Sequence, residues 1–323
     1  IRINTIMNLT ISTSKVQKTG DVSSPRSPSL NSSPLVKKRS RSFSLSASNV
    51  ADMFSLEGKV AIVTGGYGVI GSALCRGLAK AGCTVGILGR NKEKAQALMV
   101  ELKQQGSSVF TAVADVTDKD ALQKIALEAT SKYGSIDILV NCAGGNQSEN
   151  TISGDDRTFF DLSPESFDNV MNLNFKGAVL CSQVFGKLMA ESGSGNIVNI
   201  TSLAAFQSTI TNVCGYSAAK AALQNFTAFL ATHLAQKYGP CIRVNAIAPG
   251  FFLAEQNRHL LLEEDGVSFT PRAKKIIAKT PMNRFGNSEE LQGPLLFLCS
   301  DASKFVTGTV VVVDGGFTAY SGV

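Results

Sequence analysis

Lys59-Val60-Ala61-Ile62-Val63-Thr64-Gly65-Gly66-Tyr67-Gly68-Val69-Ile70-Gly71 is the stretch on which the reading of this chain turns. Its first half is a continuous apolar, β-branched run with no polar alternation, as expected of a strand covered on both faces. Its second half carries glycines at 66, 68 and 71, a literal G-x-G-x-x-G, and also at 65, 68 and 71, a G-x-x-G-x-x-G. Glycine permits a tight turn and a close backbone approach to a pyrophosphate, whose charge is favoured at the N-terminus of the helix that follows. Any strand-to-helix turn favours glycine, so the pattern gains weight only from its place at the start of the first β-α-β unit.

Downstream the same rhythm repeats. Strands are expected at 59–64, 84–88, 108–112, 136–141, 196–201, 242–247 and 309–313, with helices near 69–81, 91–105, 118–133, 164–190, 215–238 and 288–300. Strand and helix in regular succession mean an α/β fold, a doubly wound parallel sheet with helices on both faces. The stretch 249–287 is too long for an ordinary connection and reads as a lid over the site.

The 323 residues, 44% apolar and 17% charged, suffice for one large core. No apolar run reaches the roughly 18 residues of a membrane helix. The seven cysteines include no C-x-x-C pair, which speaks against a zinc site or a disulfide framework, and no metal is expected. The net charge of +6 raises nucleic acid as a partner, but its distribution removes that reading. Residues 1–50 hold eight basic residues against Asp21, leaving the rest with 23 basic and 24 acidic. Residues 1–52 are Ser-rich, basic and without periodicity, and read as a disordered tail. Three accounts of it are open: an organelle transit peptide, a linker, or a true start at Met53, which leads straight into the first strand. The expected location is cytoplasmic, or an organelle matrix or stroma if the tail is a transit peptide. The folded domain is then 53–323.

The residue that reads the adenosine ribose should end the second strand. An acid there would hold the 2′-hydroxyl of NAD; this chain has Gly89-Arg90-Asn91. Gly89 leaves space and Arg90 offers a fork for a 2′-phosphate, so NADP is favoured, with NAD possible. Tyr216 and Lys220 share one helix face at i and i+4. Lys220 is the one firmly charged residue between Tyr216 and Gln236, in a helix with a wide apolar arc, and a buried lysine needs a reason. Ser202 and the turn Asn141-Cys142-Ala143-Gly144 both fall at carboxyl ends of strands, where ligands of such sheets bind.

The set Thr64-Gly65-x-x-Gly68-x-x-Gly71, Asp115-Val116, Asn141-x-Ala143-Gly144, Asn174, Ser202, Tyr216-x-x-x-Lys220, Pro249-Gly250 and Val313-Asp314-Gly315-Gly316 resembles the short-chain dehydrogenase/reductase family, with its Rossmann-type single domain, over about 55–323. Residues 143–146, 158–162, 249–258, 280–286 and 316–323 further resemble its D-mannonate oxidoreductase (fructuronate reductase-like) branch. The resemblance implies hydride transfer between a nicotinamide and a carbinol or carbonyl carbon. It implies Tyr216 as general acid/base and Lys220 lowering its pKa while holding the nicotinamide ribose. Ser202 would hydrogen-bond the reacting oxygen, and Asn174 would hold a water joining Lys220 to solvent. Asp115 and Val116 would edge the adenine. Gly65, Tyr67, Gly68, Ile70, Gly71, Asn141, Ala143, Gly144, Pro249 and Gly250 would line the cofactor, and the enzyme would be a homodimer or homotetramer.

Two departures bear on substrate. Ser202 precedes Tyr216 by 14 residues where the family has 13, and position 254 is Ala where threonine is common. The loop between Ser202 and Tyr216 also lacks the basic residues expected of a sugar-acid enzyme. Asn146 and Arg258 are the candidate substrate contacts, Arg258 as a clamp on a carboxylate, with Arg284 a second choice whose neighbours suggest an anchor for the end of the lid. The alternatives are a reductase of 3-oxoacyl thioesters or other ketones, and a non-catalytic dinucleotide-binding protein.

Overall fold

The computed structural model describes residues 49–152, 157–207, 212–253 and 258–322. Residues 1–48 of the tail expected over 1–52 therefore lie outside the described residues. At the end of that span, Val50–Phe54 form a 3-10 helix capped by the Asn49 side chain.

Seven parallel strands make one sheet: β1 (Val60–Thr64), β2 (Thr84–Gly89), β3 (Val109–Val113), β4 (Ile138–Asn141), β5 (Gly195–Ile200), β6 (Ile242–Pro249) and β7 (Val310–Val313). Their order is β3-β2-β1-β4-β5-β6-β7. Ala61 pairs with Val85 on one side and Ile138 on the other, so the chain reverses its winding between β1 and β4. That switch point opens a crevice at the carboxyl ends of the two strands.

Helices cover both faces. Ala61 and Val63 point into a core with α1 (Val69–Lys80), α2 (Lys92–Gln104) and α9 (Gln292–Cys299), through Leu74, Leu78, Leu98 and Leu295. Ile62 points the other way, with Leu139 and Ile197, onto α3 (Lys119–Tyr133), α5 (Gly177–Ser192) and α6 (Cys214–Tyr238), through Leu122, Phe185, Met189 and Leu234. Each fully buried side chain of this size contributes about 1.5–3 kcal/mol.

Two expectations change. The helix foreseen over 164–190 is interrupted: α4 (Pro164–Met171) runs into a π turn at Asn172–Lys176 before α5 resumes. Such turns often mark functional sites, and this one carries Asn174. The 249–287 stretch is not irregular throughout. It contains α7 (Arg258–Leu261) and α8 (Pro271–Lys279), the latter begun by Pro271 and capped by Thr270, with Ala273 and Ile276 buried.

Candidate active site

A cleft of about 520 Å3 opens at the switch point, lined from the glycine turn across β4 and β5 to the start of α6. Its floor is pinned by Thr64, which is buried: its Oγ1 accepts the backbone N–H groups of Cys142 (3.0 Å) and Ala143 (2.9 Å), tying the 141–145 turn to the end of β1. Gly65 has φ +61°, and a Cβ there would lie 2.9 Å from Ala143 Cα. A Cβ on Gly71 would run into the Gly65 carbonyl oxygen. Gly66 instead faces the core, where a Cβ would meet Val63 O and Cys75 Sγ. The spacing that shapes the cleft is therefore 65, 68 and 71. Gly68 caps α1 without any side-chain hydrogen bond, so the first turn of that helix, with Ile70, meets the cleft uncapped. Uncapped N–H groups there favour an anion.

Tyr67, Arg90, Asp115 and Val116 form the outer end. The space expected above Gly89 is filled: a Cβ on Gly89 would strike the Tyr67 ring. Arg90, 72% exposed, lies 3.5 Å from Asp115. Burial opposes ionisation of Asp115, but hydrogen bonds from Thr117, with the Arg90 charge, hold its pKa below the ordinary value.

Tyr216 lies in the first turn of α6, and Ser202 caps a 3-10 turn just beyond β5. Burial pushes the Tyr216 phenol above its usual pKa, and a hydrogen bond with the Ser202 hydroxyl draws it part of the way back. Lys220 is only 3% exposed, donates to the Ile200 carbonyl at 2.9 Å, and lies 5.5 Å from the centre of the Tyr216 ring. Burial lowers it to about 8. Two linked hydroxyls beside a buried amine can pass a proton to an oxygen in the cleft. Pro249 and Gly250 close the far wall with Phe251 and Phe252, and a Cβ on Gly250 would lie 2.6 Å from Asp314 Cα.

A short-chain dehydrogenase profile described as Enoyl-(Acyl carrier protein) reductase matches residues 67–318. "Uncharacterized oxidoreductase UxuB" of Bacillus subtilis is 46% identical over 277 residues, 83% of this chain and 98% of that protein. Among solved structures, a "putative D-Mannonate oxidoreductase" from Haemophilus influenza with bound NAD is 42% identical, with a TM-score of 0.78, covering 85% of this chain and all of that one. A gluconate 5-dehydrogenase from Burkholderia cenocepacia, in complex with NADP and tartrate, is 33% identical with a TM-score of 0.74, covering 84% and 100%. The chain belongs to the short-chain dehydrogenase/reductase family. It is an NAD(P)-dependent oxidoreductase of that family, with the single Rossmann-like domain expected from sequence.

Not every residue singled out by the family motifs reaches the cleft. Asn141 is buried behind it and donates to Asn199 Oδ1 (2.8 Å) and Ser182 Oγ (3.1 Å); Asn199 in turn donates to Thr227 Oγ1 on α6 (2.9 Å). Asn174 spends its amide on the Gly145 and Val170 carbonyls and accepts the Gly145 N–H, at 2.6, 2.9 and 3.0 Å. A Cβ on Gly144 would meet both Asn174 Oδ1 and Lys220 Nζ, so the two groups flank that glycine. Asn146 bonds to Gln147 O and Thr151 Oγ1, outside the cleft lining. Arg258 donates to the Gly266 carbonyl (3.1 Å), also outside it. Arg284 forms a two-bond pair with Glu290, at 2.8 and 2.6 Å, which together with a hydrogen bond from the Asn287 backbone brings the Glu290 pKa down to about 2. Ala254 and the segment to Asn257 lie outside the described residues, as do 208–211.

Sequence reading missed Asn150 and the Asn199–Thr227 link. Asn150 is fully buried and accepts the Gly215 N–H at 2.9 Å, holding the start of the helix that bears Tyr216. It sits in the polar run Asn146-Gln147-Ser148-Glu149-Asn150-Thr151, so no signal set it apart from its neighbours.

Proposed function

We propose that this chain interconverts a secondary alcohol and a ketone on a small sugar acid, mannonate- or fructuronate-like, preferring NADP(H) and also taking NAD(H). The reaction class is carried by one observation: the hydrogen-bonded Ser202 and Tyr216 hydroxyls stand beside buried Lys220 in the same cleft as the glycine turn. The residues fit a dinucleotide, because side chains at Gly65, Gly71 or Gly144 would fill the cradle and α1 turns an uncapped end toward it. When bound, the nicotinamide supplies or accepts the hydride. In the reducing direction Ser202 donates a hydrogen bond to the carbonyl oxygen and Tyr216 passes its proton to that oxygen. Burial keeps the phenol protonated until then. Lys220 as a cation stabilises the phenolate left behind, and Asn174 holds a water near it for return of the proton. Tyr67, Ile70, Asp115, Val116, Ala143 and Pro249 serve as walls, with Arg90 the contact for a 2′-phosphate; Asn141 acts from behind, through Asn199.

The sugar-acid assignment draws support from the likeness at 251–258 and 280–286 and from the names carried by the relatives above. In this reading residues 249–287 act as a lid, Asn146 stands at its mouth, and Arg258 clamps the carboxylate when the lid closes. The apolar wall of Phe251 and Phe252, with Phe317 packed edge-on at 5.2 Å, favours a second reading: a reductase of less polar ketones. Oxidation of NADPH and NADH over keto-sugar acids, neutral ketoses and acetoacetyl thioesters tests both. Turnover of thioesters with none of the acids would replace the first reading by the second. Assembly as a homodimer or homotetramer is supported by the aromatic column on α6, where Phe229, 58% exposed, stacks on His233 and tilts against Phe226. A monomer in light scattering at micromolar concentration would remove that part.

A further inference from the structure

The glycine turn and the end of β2 meet through one side chain. The Tyr67 ring lies across Gly89 so closely that a Cβ built there would run into Cε1 and lie 2.9 Å from Cζ and 3.1 Å from Oη. The phenol oxygen accepts the backbone N–H of Asn91 at 3.0 Å, and Asn91 is the cap of α2. In dinucleotide folds the end of the second strand faces the 2′ position of the adenosine ribose, and backbone N–H groups at the next helix are what an anion there would use. Here both that volume and that N–H are already taken. Arg90, the neighbouring cation, is turned to Asp115.

We infer that Tyr67 sets the balance between NAD and NADP. Its ring occupies the place of the 2′-phosphate and stays there beneath a 2′-hydroxyl, but must swing outward before the phosphate can reach Arg90 and the Asn91 N–H. As an O–H it can still donate to a ribose hydroxyl, standing in for the acid absent at position 89. The inference rests on the assignment of this cleft to NAD(P), and not on which of the two is preferred: the ratio for the unaltered protein tests the preference, and the change in ratio tests Tyr67.

Calorimetric titration with NADH and with NADPH reads both quantities without turnover. Tyr67→Ser is expected to raise the NADPH-to-NADH affinity ratio about tenfold, or about 1.4 kcal/mol. Tyr67→Phe, which keeps the ring, is expected to move it less than threefold. If Tyr67→Ser does not fold, Gly89→Ala displaces the ring tip from the other side and is expected to shift the ratio in the same direction. A rise of threefold or more in Tyr67→Ser, or in Gly89→Ala in its place, supports the inference. A smaller change, a fall, or an equal shift in Tyr67→Phe overturns it.

Discussion

The two walls of the cleft are built differently. The glycine turn and the 141–145 turn rest on strands buried on both faces, and Thr64 locks them together through backbone groups. Among the described residues from Phe251 to Phe285, Phe252 alone joins the main core; the others rest on a small cluster of Leu261, Ala273 and Ile276, and leave Leu260 and Met282 exposed. The first wall is fixed by backbone conformation, which suits a cofactor whose pyrophosphate is always the same. The second has few buried apolar contacts, the property of segments that open locally at low free-energy cost. Recognition of a variable substrate on such a wall can change without disturbing the other.

The sharpest way to separate the walls from the chemistry between them is Tyr216→Phe. Removing the proton donor should lower kcat by about 10²–10⁴-fold while the cofactor Kd, measured by calorimetry, stays within about threefold. A comparable loss in Kd would make the tyrosine part of the rigid wall instead. Next in size is Arg258→Ala. If closure brings this guanidinium onto the carboxylate, KM for a keto-sugar acid should rise by the equivalent of about 2–5 kcal/mol, while a neutral ketose is little affected. Its bond to the Gly266 carbonyl offers the competing outcome, in which both substrates suffer equally because the 258–270 turn has loosened.

The same contrast explains what could be read from sequence. The seven strands were legible within two residues: burial on both faces forces an apolar run in β1, β2, β4, β5 and β6, and the partly exposed edge strands β3 and β7 keep β-branched runs of their own. The 65-68-71 spacing was legible too, although only the collision between Gly71 and the Gly65 carbonyl shows why it prevails over 66-68-71. The π turn at Asn174 was not, since no residue type distinguishes it from the helices it joins. Nor was the Tyr67–Gly89 contact, which joins residues 22 apart through a ring that the glycine pattern treats as a free position. α8 carried a signal, Thr270-Pro271 at a helix start, but its nine residues include three lysines and an arginine, and they mask the two-residue apolar face.

Lys220, buried between the Ile200 carbonyl and the Gly144 turn, gives the first wall a pH dependence. Its pKa is about 8 in the folded protein and 10.5 as an ordinary lysine. Between those values the unfolded chain holds a proton the folded one lacks, so stability rises with pH across that window and is lowest below pH 8. The full rise is on the order of 3 kcal/mol. Denaturant titrations at pH 7 and 9.5 should show it, and Lys220→Met should flatten it and be the more stable protein at pH 7. An unchanged slope in the variant would mean that the amine is charged and satisfied in the fold, and the site would then present a fixed cation to Tyr216.

The smallest effect is expected at Thr270, which lies in the second wall itself. Its hydroxyl accepts the Ala273 N–H at 3.2 Å and donates to the Leu260 carbonyl at 2.9 Å, so one group both caps α8 and ties it to α7. Thr270→Ala removes both bonds at a cost of about 0.5–2 kcal/mol. Because α8 is packed on few residues, that cost should appear as local opening and not as global unfolding. Hydrogen exchange over 271–279 should quicken about fivefold, KM for the substrate should rise by a similar factor, and the cofactor Kd should not move. Thr270→Ser, which restores the oxygen, should recover most of both changes. If the melting temperature falls instead, with exchange quickened in β1 and β4 as well, the segment is part of the same cooperative unit as the cofactor wall, and the division drawn between the two walls fails.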